Sequence, residues 1–286
     1  MSAQPTVSDS SVRSGRVTRI GAGRSSGLPA WSELAEYADL FYFLTWRDVK
    51  VRYKQAAFGV GWALLQPIAT AVVFTIFFGR LGRIPSDGVP YPLFVFTALV
   101  PWKFFANSLI QAAQSVVLNQ QLITRVYFPR IIVPVSAVLA GALDFALAFA
   151  VLLVLLASYG WWPTTRILWV VPLSLLVTLA ACGVGLCFSA INVRYRDVRY
   201  ALPFFVQLWL LATPVAYPSS LLTDGWQTIY AINPMVGVVE GFRWALLDTP
   251  ARPDLPMLIS AMVSLAVFIV GARYFHRVER SFADIV

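Results

Sequence analysis

The sequence predicts an all-α integral membrane protein. It is expected to have six transmembrane helices, an N-terminal amphipathic interface helix and an outer re-entrant helix pair. Three observations carry this reading. Of the 286 residues, 58% are hydrophobic and only 13% charged, against about 25% charged in soluble domains. Mean hydropathy is +0.70. The apolar residues are gathered into runs of about 20, the length that crosses a bilayer, and the basic residues fall between them. A water-soluble enzyme does not fit this balance.

Residues 1–37 are polar and rich in Ser, Gly and Arg. They are expected to form a disordered cytosolic tail and lack the apolar core of a signal peptide. Next comes LFYFLTWRDVKVRYK over 40–54, aromatic and apolar first, basic second. In helical register Arg47, Lys50 and Lys54 share a face, with Leu40, Leu44 and Val51 to one side. Its place directly before a membrane span favours an interfacial helix over 38–54 rather than a strand. Two roles fit its charges: a collar satisfying the positive-inside pattern, or a lateral gate meeting an anionic lipid phosphate at the headgroup level.

The spans follow at 57–79, 91–113, 131–157, 168–191, 201–222 and 255–272. Lys103 interrupts the second and Asp144 the third; the others are uncharged. Both charges fall near mid-membrane on consecutive antiparallel helices. They are expected to form a structural ion pair or to face a shared wet cavity, because an isolated intramembrane charge is costly. Pro67, Pro101 and Pro214 are expected to kink their helices. Cys182 and Cys187 lie five apart, about 140° around one helix, and should not bridge each other.

Residues 226–247 are apolar but contain Asn233-Pro234, then Glu240 and Arg243. With six spans, sixteen of the 22 Lys and Arg fall on one side, five on the other, and Lys103 within a span. The positive-inside rule then places both termini in the cytosol, including a short tail over 277–286. A seventh span would move the last three arginines outside, so 226–247 reads as a broken, re-entrant outer helix. The net charge of +8 is thereby topological, and no nucleic-acid partner is needed.

Between the spans, LNQQLITRVYFPR over 118–130 is longer than an ordinary bundle turn. It suits a short surface helix that docks on a cytosolic partner. The loop NVRYRDVRY over 192–200 concentrates three arginines around Asp197. Aromatics inside spans one and five, among them Trp62, Phe74, Phe205 and Trp209, suit sliding contact with sugar rings and equally suit packing against lipid. There is no phosphate-binding G-x-x-x-x-G-K-[ST] loop, no His/Cys metal cluster and no Ser-His-Asp set. No catalytic residue, metal site or cofactor is expected on this chain.

The run FYFLTWRDVKVRYKQAAFGVGWALLQP over 41–67 resembles the N-terminal signature of membrane subunits of type-2 ABC exporters for polysaccharides. VYFPR over 126–130, NVRYRDVRY, and NPMVGVVEGFRWALL over 233–247 match further blocks in the same order. The similarity covers residues 38–275, a transmembrane domain expected over 38–276, and is greatest to O-antigen exporters. It implies a permease without its own ATPase, in the bacterial inner membrane. It also implies a homodimer bound to two copies of a nucleotide-binding subunit that holds the ATP and Mg. The implied cargo is a lipid-linked polysaccharide, typically on undecaprenyl diphosphate, moved outward. Carried onto this sequence, Arg47, Lys50, Arg52 and Lys54 contact the lipid phosphate at the gate. Gln121, Arg125, Tyr127, Phe128 and Arg130 couple to the ATPase. Trp62, Phe74, Phe205 and Trp209 are candidate conduit walls, and Asn233, Glu240 and Arg243 belong to the outer cap. Teichoic acid, galactan or capsule are alternative cargoes. A different class of reading is an ion-coupled transporter using Lys103 and Asp144.

Overall fold

The computed structural model describes residues 36–54, 60–249 and 255–279, and among these the structure is helical without strands. The tail expected over 1–37 lies almost wholly outside the described residues, as does most of that expected over 277–286.

A helix α1 covers Ala38–Lys54. Helix α2, Val60–Phe74, continues through Pro67 into a π-helical turn, Thr75–Leu81. Helix α3, Tyr91–Leu118, opens with prolines at its first turn, where a missing N–H costs nothing. It continues through Pro101 and is about 42 Å long by its 28 residues. Helix α3 is the core of the molecule. Most of its length is buried, with Leu93, Phe94, Leu99, Phe105 and Leu109 fully enclosed.

After α3 come the short α4, Gln120–Arg125, then α5, Ile132–Ala140, and α6, Ala142–Ser158. The span expected over 131–157 is thus broken at Gly141, a residue at which a side chain has no room. An added Cβ would lie 2.7 Å from Ser108 Oγ on α3. A 3₁₀ turn, Thr165–Trp169, leads into α7, Val170–Arg194. Helix α8, Val198–Leu211, precedes turns over 212–217. The pair α9, Asp224–Tyr230, and α10, Pro234–Leu247, breaks at Asn233-Pro234. Helix α11, Leu255–Val278, closes the described fold.

Among the described residues, five helical segments are long and apolar enough to cross a membrane: Leu64–Leu81, Tyr91–Leu118, Ile132–Ser158, Thr165–Arg194 and Leu255–Val278. The sixth, expected over 201–222, is shorter. Helix α8 has 14 residues, about 21 Å, because Pro214 cannot continue it.

Helices α7 and α11 cross with their backbones in contact. A Cβ on Gly183 would lie 2.6 Å from Phe268 Cα, and one on Gly271 2.1 Å from the Gly183 carbonyl oxygen. Small residues at such a crossing supply the close van der Waals contact that apolar attraction cannot supply inside lipid. A second apolar cluster at one end of the bundle joins α1, the 118–130 segment, α7 and α11 through Leu44, Ile123, Phe128, Leu186 and Phe275.

Candidate functional site

A cavity of about 960 Å³ lies between the end of α1, α2, α3 and α6. Its α3 wall is a single helical stripe: Val100, Lys103, Phe104, Asn107, Ser108 and Gln111 recur at the three- and four-residue spacing of one face. Helix α6 adds Asp144, Phe145 and Ala148 with the same spacing. Arg52 enters from the last turn of α1, donating to Asp144 Oδ2 with one guanidinium nitrogen and to Gln111 Oε1 with the other. Tyr53 donates its hydroxyl to Asp144 Oδ1. Burial first, then that hydrogen bond, pushes the Tyr53 phenol well above its ordinary pKa, which keeps it a donor.

This geometry corrects the expected ion pair. Lys103 and Asp144 line one cavity, but Asp144 is paired with Arg52. The reason is reach: α1 packs along α5, and from its last turn the side chains of Arg52 and Tyr53 take both carboxylate oxygens at the start of α6. Lys103 remains in the cavity wall and makes no ion pair among the described residues; an unpaired charge within a span costs about 2.5–3.5 kcal/mol on insertion scales.

The other basic residues of α1 divide by face. Arg47 donates to Asp48 Oδ1 at 2.8 Å and to Asn119 Oδ1 at 2.7 Å, tying α1 to the end of α3. Lys50 is exposed, its ammonium 5.6 Å from the Trp46 ring centroid, and Lys54 is exposed too. Leu44 and Val49 are the buried pair of α1; Val51, expected beside Leu44, is 63% exposed.

In the 118–130 segment, Ile123 and Phe128 are buried and act as anchors. Gln121, Arg125 and Tyr127 are exposed, Tyr127 by 82%. Arg130 donates to the backbone carbonyl of Glu279, so this segment is held to the end of α11.

The comparisons with known proteins bear on these same elements. The profile described as ABC-2 type transporter matches residues 39–247. The chain belongs to the ABC-2 type transporter family. It is 32% identical to the O-antigen export system permease protein RfbA of Myxococcus xanthus over 260 residues, 88% of this chain and 97% of that protein. To the protein of the same name from Klebsiella pneumoniae it is 28% identical over 249 residues, 87% and 95% of the two chains. The polysialic acid transport protein KpsM of Escherichia coli is 22% identical over 240 residues, 82% of this chain and 92% of that one. The family match begins in the first turn of α1 and ends with the last residue of α10, so the cavity and the 118–130 segment both lie inside it.

Within this ABC-2 permease the four aromatics named from the sequence are scattered. The side chain of Trp62 lies outside the described residues. Phe74 is half-buried, edge-on to Phe78 at 5.2 Å. Phe205 is 57% exposed on α8. Trp209 packs inward, edge-on to Phe105 at 5.1 Å, and donates its indole N–H to Asn233 Oδ1 at 3.0 Å. Asn233 also caps α10 by accepting from the Met235 N–H, so one side chain fixes both the break and the end of α8. Glu240 and Arg243 pair at 3.2 Å. Arg243 is fully buried: it donates to the Val215 carbonyl at 2.8 Å and lies 3.5 Å from the Phe94 ring centroid. Sequence reasoning missed Tyr53 and Gln111. Gln111 carries the signal that would have found it, a polar residue two turns below Lys103 on the same helical face.

Proposed function

We propose that this chain is the membrane subunit of an ATP-driven exporter that moves lipid-linked polysaccharide of O-antigen type outward across the bacterial inner membrane. The observation that carries the reading is the similarity to O-antigen export permeases over nearly the full length of both proteins. The permease acts as a homodimer with two separate nucleotide-binding subunits, which hold ATP and Mg. Its termini are cytosolic, α1 lies at the inner interface, and α9–α10 re-enters from the outer side as a cap.

In this reading, nucleotide binding closes the ATPase subunits and pushes on the exposed face of the 118–130 segment, around Gln121, Arg125 and Tyr127. The push reaches α1 through the Arg47–Asn119 hydrogen bond and the shared apolar cluster of Leu44, Ile123 and Phe128. The carrier diphosphate meets the basic face of α1, and the glycan follows along aromatic side chains of α2 and α8. Nucleotide need only bias two arrangements separated by a few kcal/mol. Capsular polysaccharide is a second cargo reading, favoured by the relative named for polysialic acid transport.

The test is reconstitution into vesicles with and without the cognate ATPase subunit. Transfer of lipid-linked glycan is expected only with both subunits and ATP. Transport by the lone chain, driven by an ion gradient, would overturn the proposal in favour of the Lys103/Asp144 ion-coupled alternative.

A further inference from the structure

Lys103 sits in the α3 wall of the cavity and makes no ion pair or hydrogen bond among the described residues. Such a cation inside a membrane segment marks a functional site, and its surroundings narrow the ligand. Asp144 already gives both oxygens to Arg52 and Tyr53, so the charge left over in the cavity is positive. Amide groups of Asn107 and Gln111 line the same stripe as Lys103, one and two helical turns further along α3. Leu65, Val73, Val100, Phe104 and Phe145 supply an apolar stretch of wall, beside the polar side chains of Gln66, Thr70 and Ser108. The volume of about 960 Å³ is at the upper end of small-ligand sites, enough for a charged head with the first part of a hydrocarbon chain.

We infer that this cavity binds the phosphate head of a lipid, with Lys103 as its free cation and its chain lying along the apolar wall. Lysine is a point charge that suits a tetrahedral oxyanion from any side, and Arg52 offers a forked donor set at the same end as Gln111. An arriving phosphate competes with Asp144 for Arg52. Filling the site therefore loosens the tie between the last turn of α1 and α6. This is an exchange of ion-pair partners, with no bond made or broken. Two sources share the chemistry: a prenyl phosphate of the cargo carrier, which rests on the export reading above, and a resident anionic phospholipid, which does not.

The experiment titrates the purified full-length chain in dodecyl maltoside with undecaprenyl phosphate, phosphatidylglycerol or uncharged undecaprenol, counting bound lipid by native mass spectrometry. A phosphate-bearing lipid is expected to bind at least about tenfold more tightly than undecaprenol, and Lys103→Met to remove about that factor. Lys103→Arg should retain binding, and the unfolding temperature of Lys103→Met should match or exceed that of the parent, so lost binding is not lost folding. Preference for undecaprenyl phosphate over phosphatidylglycerol identifies the cargo carrier; equal binding identifies a resident lipid. Unchanged binding in Lys103→Met, or equal binding of undecaprenol, overturns the site. Either result leaves the export proposal to its own ATPase-dependent assay.

Discussion

Arg243 gathers an ion pair, backbone hydrogen bonds and a ring contact at one buried guanidinium. Its guanidinium is fully buried, bonded to Glu240 and the Val215 carbonyl, and stacked on Phe94. Removing one member of a buried pair strands the other, a loss of about 3–5 kcal/mol. Arg243→Met should therefore lower the unfolding temperature of the detergent-solubilised protein sharply. Arg243→Lys should recover only part, because an ammonium lacks the planar fork that reaches two acceptors at once. Equal stability of Arg243→Met and the parent would show that the pair holds nothing together. Asn233 is the second such residue. Its side chain caps α10 and accepts from Trp209, so Asn233→Ala should cost about 1 kcal/mol for the cap alone, with a change in Trp209 fluorescence as its signature. The spacing of Glu240 and Arg243 was legible in the sequence because it is a local, one-turn relation. The pairing of Asp144 was not, since its partner lies 92 residues away on α1 and no periodicity links the two.

At the scale of elements, the α7–α11 crossing is the place where a small change should do most harm. A Cβ at Gly271 would fall 2.1 Å from the Gly183 carbonyl oxygen, backbone that has nowhere to move. Gly271→Ala is expected to force the helices apart, costing about 1–3 kcal/mol or more. Thermal unfolding and the yield of monodisperse protein measure it, with Gly225→Ala, which meets nothing nearby, as the contrast. The tie between α1 and α6 calls for a double-mutant cycle. Arg52→Gln and Asp144→Asn should show an interaction energy of about 0.5–3 kcal/mol, as residues in direct contact do; additive effects would dissolve the tie. Element types were legible from long apolar runs and from Asn233-Pro234, where a proline at the first turn and an Asn cap announce a new helix. The break at Gly141 was not, because it is decided by what packs alongside, whereas the span expected over 91–113 already ran through Pro101, as α3 does. Gly141 faces Ser108 and Phe104 across a close approach, and Pro101 is enclosed within the core.

For the whole molecule, long-range hydrogen bonds track which way the chain runs where helix length does not. Asn192 near the end of α7 donates to the Ala113 carbonyl at 2.9 Å, placing it level with the final turns of α3. Tyr91, at the opposite end of α3, donates to the Ala216 carbonyl at 2.6 Å. Ser220 meets Asp87, just before α3, at 3.0 Å. Between residues 192 and 216 the chain therefore travels nearly the length of α3, although α8 itself is only 14 residues long. The turns over 212–217 supply the rest, sheltered by Arg243, which satisfies the Val215 carbonyl that apolar surroundings would otherwise leave bare. The expected consequence is an even number of crossings. In a background with Cys182 and Cys187 replaced by Ala, Trp162→Cys and Leu221→Cys should react with a membrane-impermeant thiol reagent in intact spheroplasts. Tyr127→Cys and Tyr195→Cys should react only after permeabilisation. Labelling of Leu221→Cys and Tyr195→Cys from the same side would mean that α8 turns back without crossing. The two ends of the chain would then face opposite compartments, and the basic α1 and the basic end of α11 could not both meet the cytosolic leaflet.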